Sequence, residues 1–115
     1  MDLQWKPLDS EEVRSKLRTE SFSRPVLVFK HSTRCSVSVM AKSRMDSDKQ
    51  WPDLSYYYLD VLSFRAISNA LAEEYHVHHE SPQVLLIHQG SCAYDESHIA
   101  IQPKEIQAEL ASYSV

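Results

Sequence analysis

The sequence predicts an α/β domain over residues 1–115: a central mixed four-stranded sheet flanked by helices, with an additional N-terminal helix. Three observations point to it. Val26-Leu27-Val28-Phe29, Tyr56-Tyr57-Tyr58-Leu59-Asp60-Val61 and Val84-Leu85-Leu86-Ile87 are short runs with the branched and aromatic content of strands. The segments between them carry apolar residues at helical spacing. One glycine beside five prolines leaves no Gly-rich linker, phosphate loop or low-complexity tract to divide the chain, and no internal repeat is present.

Taken in order, Asp9 or Ser10 followed by Glu11 and Glu12 marks a helix start, with Val13 and Leu17 on one face and an end near Thr19. Val26 to Phe29 is apolar throughout, as suits a strand buried on both faces, and is placed centrally. Ser36 to about Asp48 holds Val37, Ala41 and Met45 at i, i+4, i+8, with Met40 adjoining, and forms the second helix. Trp51-Pro52-Asp53 breaks it. The tyrosine-rich strand follows, and the connection is long enough for a right-handed crossover between parallel strands. Ser63 is positioned to cap a third helix with Phe64, Ile67, Leu71 and Tyr75 on one side. His76 to Pro82 is a polar connection. Val84 to Ile87 is the third strand, and His88-Gln89-Gly90-Ser91 turns it into a short strand around Cys92-Ala93-Tyr94. Pro103 opens a last helix carrying Ile106, Leu110 and Tyr113.

The formal net charge of −4 argues against general binding to nucleic acid or anionic membranes, both of which need a basic surface. The N-terminus lacks the pattern of a signal peptide, and no run approaches the roughly 20 apolar residues of a membrane span. A cytoplasmic location is expected. Two cysteines in a reducing compartment are more often free or catalytic than bridged.

Cys35 carries the chemistry. It stands where the first strand gives way to the second helix, in Lys30-His31-Ser32-Thr33-Arg34-Cys35-Ser36-Val37-Ser38. A helix start offers a thiolate the helix dipole and unpaired backbone N–H donors, which makes Cys35 a candidate nucleophile. Where a dithiol redox motif would place a second cysteine, Ser38 stands. The segment is also locally basic: Arg24, Lys30, Arg34, Lys42 and Arg44 occur with no Asp or Glu between Arg24 and Met45. If Pro82 lies beside Cys35, the strand from Gln83 to His88 leads away from the site by roughly 20 Å over six residues, which disfavours a disulfide between Cys35 and the remaining thiol, Cys92. A cysteine phosphatase loop would require arginine where Ala41 stands, and is excluded.

A β-α-β unit joined through a helix to a β-β-α unit, with Cys35 at the first strand-to-helix junction and Ser81-Pro82 before the third strand, resembles the thioredoxin fold. That resemblance implies a cis proline at Pro82, facing the reactive cysteine. More narrowly, Phe29-Lys30-His31-Ser32-Thr33-Arg34-Cys35, Ser38 and His79-Glu80-Ser81-Pro82-Gln83-Val84 resemble the monothiol bacilliredoxins, the YtxJ-like proteins of the bacillithiol system, over nearly the whole chain. Ser36 departs from them, since the family commonly has proline there. The resemblance implies a monothiol thiol–disulfide oxidoreductase that removes bacillithiol, or a similar low-molecular-weight thiol, from S-thiolated client proteins through a mixed disulfide at Cys35. Bacillithiol is then a co-substrate, and no permanently bound cofactor is expected.

Around Cys35 the expected neighbours are Arg34, Ser36, Ser38, His79, Glu80, Ser81 and Pro82. Lys30, His31, Thr33 and Arg34 are expected to bind the small thiol, whose carboxylates the cations would favour. His79 and Glu80 are candidates to orient a thiol or move its proton. Two other classes are weighed. A binding module of the same fold would recognise extended segments at Ser81-Pro82 without turnover. A metal protein would use His76, His78 and His79 with His31 and Cys35, but no paired ligand spacing supports it, and no metal site is expected.

Overall fold

The computed structural model describes residues 1–113. Its elements in chain order are β1 (Trp5–Pro7), α1 (Glu11–Glu20), β2 (Val26–His31), α2 (Ser36–Ser47), β3 (Ser55–Asp60), α3 (Arg65–Tyr75), β4 (Gln83–His88), β5 (Ser91–Ser97), a 3-10 turn (His98–Ala100) and α4 (Pro103–Tyr113). The strands form one sheet in the order β1-β3-β2-β4-β5. β2 is central, parallel to β3 and antiparallel to β4.

The sheet therefore has five strands where the sequence predicts four. β1 runs parallel to β3 at the edge, pairing Trp5 with Tyr56 and Pro7 with Tyr58. Three residues that include a lysine and a proline give no apolar alternation, so periodicity misses the strand. Proline is tolerated there because edge strands leave N–H groups unpaired. Trp5 anchors the edge, its ring 5.7 Å from that of Phe29 and its indole N–H donating to Asp46 Oδ1 at 2.7 Å.

Side chains alternate across the sheet as the pleat requires. Val26, Val28, Leu85 and Ile87 pack with Tyr57 and Leu59 against Leu17 of α1 and Ile67, Leu71 and Tyr75 of α3. On the other face Leu27, Phe29, Val84, Leu86 and Tyr56 meet Ala41 and Met45 of α2 and Ile106 and Leu110 of α4. The α2 stripe is narrower than its sequence suggests, because Met40 is 55% exposed while Ser38 is fully buried.

Two caps differ in detail. Ser10 caps α1, its hydroxyl accepting from Val13 N–H at 3.2 Å. Ser63 does not cap α3. Phe64 holds that position, and Asp60 at the end of β3 takes the N–H groups of Leu62 and Ser63 and the Ser63 hydroxyl, so the carboxylate organises the turn. The β4–β5 hairpin turns on Gln89 and Gly90, both at positive φ (51° and 76°), as a two-residue turn matched to strand twist demands. Leu86 pairs with Tyr94 and Ile87 with Cys92, so Ala93 is an extra residue in a bulge.

Candidate active site

β2 and β4 are neighbours with Lys30 opposite Gln83. The residues that follow β2 and those that precede β4 therefore leave the sheet at the same end. Cys35 belongs to the first group and His79 to Pro82 to the second. The Ser81–Pro82 peptide is cis.

Cys35 is the N-cap of α2, extended at φ −107° and ψ 117°, and its thiol is free and half-buried. Its N–H donates to the Ser32 carbonyl at 3.2 Å, and its own carbonyl accepts from Val39 N–H at 3.0 Å, closing the first turn. The N–H groups of Ser36 and Val37 have no hydrogen-bond partner among the described residues. They are the orphan donors of a helix start, available to a thiolate at the cap. No acidic residue lies in that turn. Thr33, Arg34 and Ser36 are exposed around the thiol.

Ser38 is fully buried and locks the strand-to-helix junction. Its hydroxyl accepts from Ser32 N–H at 3.0 Å and shares a hydrogen bond with His31 Nδ1 at 2.7 Å. Burial holds the His31 imidazole below its ordinary pKa, and the nearby Lys42 charge acts in the same direction, partly offset by Asp60. The dithiol position thus carries a hydroxyl with a structural task.

The substrate-binding expectation for Lys30 and His31 is corrected. His31 is 4% exposed and tied to Ser38, and Lys30 has no exposed surface. The physical reason is pleat: on a central strand covered on both faces, even charged side chains at the C-terminal end point into a layer. Lys30 points to the α3 side, where its ammonium donates to the Ser68 carbonyl at 3.2 Å and lies 3.3 Å from His79 Nδ1. Burial lowers its pKa from 10.5 to about 8. Lys42 is engaged with Asp46 at 2.7 Å. Of Lys30, Arg34, Lys42 and Arg44, Arg34 is the exposed one.

In the opposite loop, His79, Glu80 and Ser81 are half-buried and Pro82 is buried. Glu80 Oε1 lies 2.9 Å from His98 Nε2. That hydrogen bond, with the nearby imidazoles, outweighs desolvation and holds the Glu80 carboxyl below its usual range. His98 N–H donates to the Pro82 carbonyl at 3.0 Å. His98 thereby braces the proline loop through both backbone and ring. It does so at φ 58°, a left-handed conformation uncommon outside glycine. Ile99 beside it is 70% exposed, and Val39 and Met40 on α2 are exposed too. Sequence reasoning missed this apolar surface, since α2 and residues 98–100 are distant in the chain.

Cys92 sits opposite Ile87, four positions along β4 from Gln83 and five from Pro82, or about 16 Å from the proline. Burial, with Asp95 nearby, pushes its thiol up to about 11. It packs as a small apolar group against the α1 and α3 layer. His76, His78, His79 and Cys35 form no cluster: among the described residues no three His, Cys, Asp or Glu side chains are grouped to hold a metal ion. No helix among them is long and apolar enough to cross a membrane.

A free thiol at the N-cap position of a helix, at the same end of the sheet as a cis-proline loop, on a central mixed sheet with helices on both faces, is the arrangement of a thioredoxin-fold thiol–disulfide oxidoreductase. Solved structures agree. A protein described as an oxidoreductase with a thioredoxin fold is 27% identical, with 93% of each chain covered and a TM-score of 0.81. A mutant thioredoxin from Halobacterium salinarum NRC-1 (13% identity, 97% of this chain and 92% of that chain, TM-score 0.75) shares the fold. So does a thioredoxin from Malassezia sympodialis (15%, 100% and 94%, 0.75). Residues 6–106 match the monothiol bacilliredoxin BrxC family, and the chain belongs to that family.

Proposed function

We propose that this protein removes bacillithiol, or a similar low-molecular-weight thiol, from S-thiolated cytoplasmic proteins, and that residues 1–115 act as one domain. The observation that carries the reading is a free, half-buried thiol at the α2 N-cap whose dithiol partner position is a buried serine. With Cys92 at the other end of the sheet, an internal disulfide has no partner within reach.

In the reaction, Cys35 Sγ as thiolate attacks the small thiol's sulfur in the client's mixed disulfide. A new S–S bond joins Cys35 to the small thiol, the old one breaks, and the client leaves as thiolate, to be protonated by water. A second small thiol then attacks the Cys35 adduct, giving the symmetrical small-thiol disulfide and free Cys35. The N–H groups of Ser36 and Val37 stabilise the thiolate. Arg34, with Thr33 and Ser36, faces the anionic part of the small thiol. The client docks on the apolar surface of Val39, Met40 and Ile99 and on the Glu80-Ser81-Pro82 loop.

The test is release of a thiolated client peptide, followed by mass spectrometry. Wild type is expected to release the peptide and gain one small thiol at Cys35, and Cys35→Ser to do neither. Equal, slow labelling of Cys35 and Cys92 by an alkylating reagent would exclude a specialised exchange thiol. A peptide that binds Cys35→Ser and wild type equally, with no transfer in either, would instead favour a binding module.

A further inference from the structure

Lys30 is buried beneath α3 with no carboxylate at ion-pair distance among the described residues. An uncompensated buried ammonium is costly, and an apolar side chain of the same length would fill the space at less cost. What it touches is therefore informative. Its Nζ lies 3.3 Å from His79 Nδ1, and Ser68 Oγ lies 3.1 Å from the same nitrogen. A charged lysine only donates, so Nδ1 is an acceptor and the imidazole proton sits on Nε2. Gln83, the cross-strand neighbour of Lys30, donates from its amide to the His78 carbonyl at 3.0 Å. The stretch before the proline loop is thus held twice, by its backbone at His78 and by its ring at His79. The outer nitrogen, Nε2, has no hydrogen bond among the described residues.

We propose that Lys30 is a positioning residue for the exchange reaction: with Ser68 it fixes His79 as the Nε2–H tautomer, so that His79 offers a hydrogen-bond donor to the thiolate leaving the client. This rests on the exchange reaction proposed above. As Cys35 Sγ bonds to the small thiol's sulfur, the electron pair of the broken S–S bond stays on the client sulfur. His79 Nε2–H hydrogen-bonds that sulfur and keeps its proton, and water supplies the proton that caps it. The groups facing His79 are Lys30 from β2, Arg65 from α3, and His78 and Glu80 from its own loop. Burial, Lys30 and Arg65 hold the imidazole below its ordinary pKa against the opposing pull of Glu80, which keeps it a neutral donor.

The experiment measures single-turnover release of a bacillithiolated peptide by wild type, Lys30→Met, His79→Ala and the double variant, with thermal unfolding as the check on folding. Lys30→Met and His79→Ala are each expected to slow release roughly tenfold, the loss of one hydrogen bond to a charged group. The double variant is expected to be no slower than His79→Ala, because Lys30 acts through that ring. Additive losses, or wild-type release by Lys30→Met, would overturn the proposal. Ser68→Ala, which keeps the small helix residue, is expected to slow release in the same direction should Lys30→Met not fold. Wild-type release by it would overturn the proposal equally. Imidazole ¹⁵N shifts give a reading independent of turnover: His79 carries its proton on Nε2 in wild type, and a ring protonated on Nδ1 refutes the tautomer assignment. Should wild type transfer no small thiol while His79 is the Nε2–H tautomer, the exchange reading fails and the tautomer assignment stands.

Discussion

Replacing Lys30 by methionine alters how stability depends on pH, and the size of the change follows from burial. The unfolded chain holds the Lys30 proton up to its ordinary value of 10.5, whereas the folded chain gives it up at about 8. Between these values the unfolded state binds more protons, so raising the pH stabilises the fold. Below 8 the folded state carries the full penalty of the buried charge, about 3 kcal/mol for a displacement of this size. At pH 10 most of it is relieved, so wild type gains roughly 2–3 kcal/mol relative to Lys30→Met between pH 7 and pH 10. The raised tyrosines Tyr57, Tyr75 and Tyr94 titrate in both proteins and cancel in the difference. Urea unfolding of both proteins at the two pH values reads it directly. Parallel pH profiles for the two proteins would refute the reasoning, since they would mean that Lys30 keeps its ordinary proton affinity on folding.

Other outcomes are expected elsewhere in the molecule. Ser38→Ala leaves Ser32 N–H and His31 Nδ1 without their partner and costs about 2 kcal/mol, or roughly 8 °C in midpoint by calorimetry. A change below about 0.5 kcal/mol would mean that Ser38 does not tie the junction. Cys92→Ser leaves the rate of single-turnover peptide release unchanged, because its thiol is raised to about 11 and lies at the far end of β4. Gly90→Ala costs about 1–2 kcal/mol through the left-handed φ of 76°, measured by urea unfolding. The nearby Phe22 ring, 57% exposed, can swing aside and adds little.

Much of the fold is legible in the sequence because its signals are local. Val26 to Phe29 reads as a central strand since both faces are apolar, and Pro103 and Gly90 mark a helix start and a turn through fixed backbone preferences. β1 is invisible because three residues on an edge need no pattern, and its stability comes from the Trp5 ring against Phe29. At the site, Cys35 and the proline loop are readable as a strand-to-helix junction and an X-Pro pair. The roles of Lys30 and His31 are not. Their charge suggests exposure, and only the neighbouring strands and α3 decide that they are buried. His98 was unreadable for a related reason, since its contact with Glu80 joins positions 18 residues apart through a backbone conformation that sequence does not announce.

The most direct measurement is the intact mass of the protein, purified without added reductant and exposed to bacillithiol disulfide, followed by peptide mapping. A gain of one bacillithiol, confined to the peptide containing Cys35 and reversed by excess free thiol, is the expected result. A mass unchanged at Cys35, or an internal Cys35–Cys92 disulfide appearing in its place, would contradict a monothiol exchange at this residue.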